Sequence, residues 1–246
     1  MGLLTKFKGI SWRQWAGFLV AWGYIGLPML LCPSYSLANP EIGSVTAGSA
    51  TIANAPDNTL QITQHSDRAI INWERFNIAP NEHTQFIQPS SSSIVLNKIN
   101  PANGISDIQG RLSANGQVWL MNPAGILFGA GAQVNVAGLI ATTANIRNED
   151  FMAGNYKFTQ SPEWHGAVTN NGLIHITDGG YAALMAPTVH NNGVIKANFG
   201  KVALASGNTY TVNFDNDAMI NFGANAELAQ ASISNAGKII AEVVRC

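Results

Sequence analysis

Histidine, cysteine and carboxylate side chains are the groups that would ligate a metal, act as a nucleophile or move a proton. Their placement in this chain argues against all three. The histidines are His65, His83, His165, His175 and His190. None falls in an H-E-x-x-H pair, and neither Cys32 nor Cys246 stands at a zinc-ligand spacing. His175 lies inside an apolar turn-and-strand unit and His190 just before another, so both read as strand-surface residues. The closest carboxylates, Asp215 and Asp217, sit in Asn213-Phe214-Asp215-Asn216-Asp217. That segment reads as a turn, not as an acid–base dyad. Gly129-Ala130-Gly131 lacks the third glycine of a dinucleotide fingerprint, Val134 standing in its place, and no βαβ pattern surrounds it. A P-loop and a G-x-S-x-G elbow are both missing. The sequence therefore predicts no catalytic residue, no metal and no cofactor.

Composition narrows the class further. Of 246 residues only 11% are charged, the net charge is −1, and there are 24 Gly and 26 Asn. Ordinary globular chains carry about 25% charged residues. So few charges exclude a coiled coil, a disordered charged tail and a nucleic-acid partner.

The first 38 residues read as a signal peptide. Lys6, Lys8 and Arg13 precede an apolar stretch over residues 15–31, and Ser36-Leu37-Ala38 closes it with a small-x-small end. Cleavage is expected between Ala38 and Asn39, leaving 208 residues (246 − 38). A membrane anchor is the competing reading, which Pro28 and several glycines disfavour. Leu31 before Cys32 disfavours a lipid-attachment site. The lone Cys246 of the remaining chain offers no disulfide, so packing and backbone hydrogen bonds must stabilise the fold.

The rest is strand. Thr59-Leu60-Gln61-Ile62-Thr63 and Gln133-Val134-Asn135-Val136 alternate apolar and polar. Ala69-Ile70-Ile71, Ile94-Val95-Leu96 and Val118-Trp119-Leu120-Met121 are short apolar runs bounded by turn residues. A repeat recurs: Asn170-Asn171-Gly172-Leu173-Ile174 matches Asn191-Asn192-Gly193-Val194-Ile195, a step of 21 residues. Counting on from Asn171 and Asn192 reaches Asn213, weakly, and then Asn235. Asn115-Gly116 shares the turn-then-strand form earlier in the chain. Repeats of this length imply stacked coils. A leucine-rich horseshoe lacks its skeleton here, which leaves a parallel β-helix. Stacked corner asparagines would form an amide ladder, with Gly supplying positive φ. Nine or ten coils would fit at this spacing. The charged segment over residues 147–166 interrupts the period and reads as a hairpin or loop outside the stack. Val243-Val244 would leave the last coil open, as in a fragment of a longer protein.

Several motifs occur together in order: Ala69-Ile70-Ile71-Asn72-Trp73-Glu74-Arg75-Phe76-Asn77-Ile78, Phe86-Ile87-Gln88-Pro89, Val95-Leu96-Asn97-Lys98-Ile99, Ile108-Gln109-Gly110-Arg111-Leu112-Ser113-Ala114-Asn115-Gly116, and Val118-Trp119-Leu120-Met121-Asn122-Pro123-Ala124-Gly125-Ile126. They resemble the N-terminal secretion domain of the filamentous haemagglutinin family, also called the haemagglutination activity domain. The resemblance implies an all-β, right-handed single-stranded parallel β-helix with an N-terminal cap and extra-helical hairpins, over residues 39–246. It implies delivery by the general secretory machinery to the periplasm of a Gram-negative bacterium. There the domain meets an outer-membrane TpsB-type transporter with periplasmic receptor domains. It leaves by two-partner secretion and seeds folding of an adhesin-like exoprotein outside the cell or at its surface. Folding coil upon coil would then supply the free energy, since there is no nucleotide site. The family's Asn-Pro-Asn-Gly-Ile motif falls on Asn122, Pro123, Ala124, Gly125 and Ile126, with Ala124 in place of the second Asn. An Asn-Pro-Asn-Leu motif is missing, and Asn100-Pro101-Ala102-Asn103 is the nearest pattern. Asn-Pro followed by Gly is also a tight turn in its own right. Two other functions stand against this one. One is direct adhesion to a host or bacterial surface. The other is a β-helical polysaccharide lyase, which the scattered acids disfavour.

Overall fold

The computed structural model describes residues 39–214, 220–225 and 231–241. The leader with Ala38, the Asp215 and Asp217 turn, Val243-Val244 and Cys246 lie outside the described residues.

Strand pleating turns alternate side chains to opposite faces. In Thr59–Gln64 this buries Leu60, Ile62 and Gln64, and in His83–Ile87 it buries Thr84 and Phe86. These strands pair in parallel, each with its counterpart one turn of the chain later. Leu60, Thr84, Leu112, Val134, Ile174, Ile195 and Ile239 form one vertical file. A second face carries Ile70, Leu96, Trp119, Ile140, Ala183 and Ala203 in register. A third carries Ile78, Ile108, Phe128, Asn170, Asn191 and Asn235. Three parallel faces stacked this way make a β-helix. Its N-terminal end is closed by two antiparallel strands, Ser44–Ala47 on Arg68–Trp73 and Ala50–Ala55 on Thr59–Gln64.

The described residues complete six coils, not nine or ten. The steps along the first file are 24, 28, 22, 40, 21 and 44 residues, so 21 is the shortest coil rather than the rule. Two coils are lengthened by excursions. Asn213 is no corner: it lies in Thr209–Phe214, a strand of the second excursion. The first excursion is not a hairpin. It holds a six-residue helix, Asn148–Ala153, which we call α1, and the strand Tyr156–Thr159. Gly154, in the left-handed conformation at φ 83°, ends α1. Tyr156–Thr159 pairs antiparallel with Thr209–Phe214, which pairs with Ile220–Asn225.

Those excursions explain the short apolar runs. On the second face Ile71, Val95, Val118, Leu120, Leu139 and Leu184 point into the coil interior. Their neighbours Ile70, Leu96, Trp119, Ile140 and Ala183 point outward into a second core under the excursions. A strand buried on both sides has no reason to alternate.

Stacking also decides which polar groups meet. His83 and Arg111 are register partners on adjacent coils. Burial, and secondly the Arg111 guanidinium, hold the His83 imidazole below its ordinary value of 6.5. The unfolded chain therefore takes up this proton first as the pH falls. The contribution of the neutral ring is complete above 6.5 and is lost as the pH drops through the folded value. Denaturation midpoints measured at about pH 7.5 and about pH 5.5 should fall on acidification, and fall less in His83→Gln. An equal fall in both proteins would remove His83 as the cause.

Candidate functional site

The Asn-Pro corner follows the third strand of the second face, Gln117–Met121. The Asn122 N–H donates to Thr142 O of the next coil at 3.0 Å. Its carbonyl accepts from the Gly125 N–H at 3.0 Å, closing a four-residue turn. Its side chain is fully used: Oδ1 accepts from the Ala124 N–H at 3.0 Å, and Nδ2 donates to Gly104 O at 3.1 Å and Ser106 Oγ at 3.0 Å. Asn122 thus ties together three successive coils and is 0% exposed. Gly125 has φ 127°, which a side chain rarely adopts, and lies close against Ala167. Ile126 is buried and in register with Ser106 and Val168. Only Pro123 and Ala124 reach the surface, each half-buried.

One coil earlier the same turn recurs. Asn100 Oδ1 accepts from the Ala102 N–H at 3.1 Å, and Asn100 and Asn103 each donate a 2.8 Å bond to Glu74 Oε2. Pro101 and Pro123 line one surface cleft with Ile42, Met121 and Trp164.

The asparagine ladder runs one residue away from the predicted line. Asn170 Nδ2 donates to Asn191 Oδ1 at 2.8 Å, and Asn191 Nδ2 to Asn235 Oδ1 at 2.7 Å. Asn235 therefore stacks on Asn191, not on Asn192. Asn192 and Asn171 make a separate, exposed rung at 2.9 Å. Asn115 belongs to neither: its amide mimics a strand, accepting from Gln88 N and donating to Gln88 O, both at 2.7 Å. The glycines after these asparagines are also corrected. Gly116, Gly172, Gly193 and Gly237 are not among the residues with positive φ. They are needed for close approach. A Cβ on Gly172 would sit 2.7 Å from Ala132 O, one on Gly116 2.6 Å from Gln88 Oε1, and those on Gly193 and Gly237 would overlap the glycine carbonyl one coil before.

Of the histidines, His83 has the most structured surroundings. Nε2 lies 2.7 Å from Ser113 Oγ, and Arg111 Nη2 approaches Nδ1 at 3.4 Å. A guanidinium on Nδ1 places the ring proton on Nε2, where it donates to the serine. That tautomer cannot take the serine's proton, so the pair is not a nucleophile and base. No group of three or more potential metal ligands occurs among the described residues. The buried tyrosine of the second core, Tyr181, accepts from Trp119 Nε1 at 2.8 Å and donates to Gln117 Oε1 at 2.6 Å. Burial raises its hydroxyl far above the ordinary range. Sequence reasoning passed over this pair, and the unbroken apolar runs were the signal for it.

These features define a capped parallel β-helix with a side sheet, its corners held by buried asparagines. The chain belongs to the TPS secretion domain family, whose model matches residues 38–245. A heme/hemopexin-binding protein of Haemophilus influenzae strain Rd is 35% identical over 208 residues, covering 81% of this chain and 22% of that protein. Another Haemophilus influenzae protein of that name is 36% identical over 121 residues, 49% of this chain and 13% of its own length. The crystal structure of the HMW1 secretion domain from Haemophilus influenzae superposes with a TM-score of 0.77 at 34% identity, covering 83% of this chain and 54% of that one. The relatives are secretion domains and heme/hemopexin-binding proteins rather than enzymes. The chain spans only a minor part of the curated relatives it matches.

The inner ladder should matter more than the outer one. Asn191→Ala strands the buried Asn170 amide and removes the bond to the exposed Asn235, and should cost about 1–3 kcal/mol in urea denaturation. Asn192→Ala, on the exposed rung, should stay within about 0.5 kcal/mol. Equal costs would count against the ladder as a stabilising device.

Proposed function

We propose that this chain is the targeting part of a longer exported protein and acts by being recognised and moved, without catalysis. Residues 1–38 act as a signal peptide cleaved between Ala38 and Asn39, and the general secretory machinery carries the chain to the periplasm of a Gram-negative cell. An outer-membrane transporter with periplasmic receptor domains binds the domain and passes the exoprotein to the cell surface or medium. What carries this reading is the match to the TPS secretion domain family along the whole β-helix. The exposed inward residues of the last described coil add to it. Ile233 is 50% and Ile239 38% exposed, a ledge on which a following coil would stack and bury its own apolar residues.

Within this reading the Asn122-Pro123-Ala124-Gly125-Ile126 corner serves export through the fold. A transporter touching the folded domain could reach Pro123 and Ala124 but not the buried Asn122 side chain. Direct adhesion to host or bacterial surfaces is assigned to the remainder of the longer protein.

Two experiments test these statements. Deleting the cognate outer-membrane transporter should hold the chain in the periplasm, and undiminished appearance in the medium would overturn the assignment. Asn122→Ala should lose about 1–3 kcal/mol of stability, from unpaired Gly104 O and Ser106 Oγ, and lose export in step with it. Lost export at unchanged melting temperature would mean that Asn122 is read directly by the transporter.

A further inference from the structure

The two excursions leave the β-helix at different coils yet join in one sheet. The first leaves after the fourth strand of the second face, the 138–142 part of Gln133–Thr142. The second leaves after the sixth, Lys201–Ala205. Tyr156, Lys157, Phe158 and Thr159 pair antiparallel with Val212, Thr211, Tyr210 and Thr209. The Gln160 N–H donates to Asn208 O at 2.7 Å, extending the same seam.

This side sheet also reaches back to the beginning of the stack. Arg68, in the first strand of the second face, donates from Nε to Tyr156 Oη at 3.0 Å and from Nη1 to Met152 O at 3.2 Å. Lys98, in the second, donates to Ile146 O at 3.0 Å and Asn148 Oδ1 at 2.8 Å. In the third, Trp119 packs its ring against Tyr156, Phe151 and Phe158 at centroid distances of 4.7, 5.5 and 5.8 Å. The fifth contributes Tyr181, hydrogen-bonded to Trp119 across the face. The second excursion closes the cluster with Tyr210 and Val212, 1% and 2% exposed.

We propose that these excursions form a strap that binds the six second-face strands, from Arg68–Trp73 to Lys201–Ala205, into one cooperative unit and completes the second core only when Thr209–Phe214 arrives. A plain solenoid behaves as a chain of nearest-neighbour units, in which a local defect stays local. Here the outward row Ile70, Leu96, Trp119 and Ile140 is sealed by a sheet whose middle strand comes after the sixth strand of that face. A chain emerging N-terminus first keeps that row uncovered until residue 214 is present. Folding is then concerted across the stack instead of proceeding coil upon coil. This goes beyond recognition by a transporter and does not depend on it.

Native-state hydrogen exchange on the full chain tests the strap. Val212→Ala trims a buried strap residue and leaves every coil strand intact. Tyr156→Phe is the milder variant, removing only the hydroxyl bonded to Arg68. Each should lower protection of Arg68–Trp73, Ile94–Ile99 and Gln117–Met121 by about tenfold or more, together with the strap itself. Ile239→Ala, in Lys238–Ile240 beyond the strapped strands, should lower protection only in the strands beside it. If Val212→Ala leaves too little structure to measure, Tyr156→Phe decides alone. Loss confined to residues 145–160 and 205–225 in the strap variants would overturn the proposal. So would a loss spread over the whole stack in Ile239→Ala.

Discussion

Parallel strands in adjacent coils lie about 4.8 Å apart, and every side chain therefore meets its own counterpart from the coil before. Most of the molecule follows from that constraint. Apolar residues stack on apolar ones, as in the file from Leu60 to Ile239. Amides stack on amides, as Asn170, Asn191 and Asn235 do in a ladder whose first two rungs are buried. Like charges at this spacing would repel, which accounts for a chain with 11% charged residues. Where backbone crosses backbone at a corner there is no room for a Cβ, and glycine recurs at 172, 193 and 237.

The same constraint creates a difficulty on the second face. Its strands bury residues inward, and the outward row is just as apolar, with Trp119 at its centre and 0% exposed. Stacking alone cannot cover that row. The excursions do. The indole donors of both cores are satisfied locally. Trp119 and Tyr181 serve each other, and Trp73 Nε1 donates to Asn97 Oδ1 at 2.9 Å, so neither core holds an indole without a partner.

The Asn122 corner shows how a family motif can express a folding requirement. Its amide caps its own turn and reaches two groups of the previous coil, while its backbone joins the next. Glycine at 125 provides the turn's left-handed residue. Ala124 replaces the family's second asparagine at a half-buried position, where only its backbone N–H is used by the turn. The corner thus serves the fold as any element that joins consecutive coils does.

The local level of the structure was legible in the residues. Alternation in Thr59–Gln64, the Asn-Pro turn at 122–125 and the stacked asparagines all follow from pleat geometry and turn chemistry acting over a few bonds. The motifs from Ala69 to Ile126 were enough to place the chain in its family. What the residues did not decide was which segments become neighbours. Asn235 stacks on Asn191 rather than Asn192, Asn115 seeks the Gln88 backbone, and Tyr156–Thr159 finds its partner in Thr209–Phe214. A period of 21 residues described one coil and failed for those that leave the stack. The physical reason is that pleat and turn are set by the covalent chain. Register between coils is set by hydrogen bonds and packing formed only after excursions of any length have closed. Those non-local terms, and the covering of Trp119 above all, belong to the tertiary structure alone.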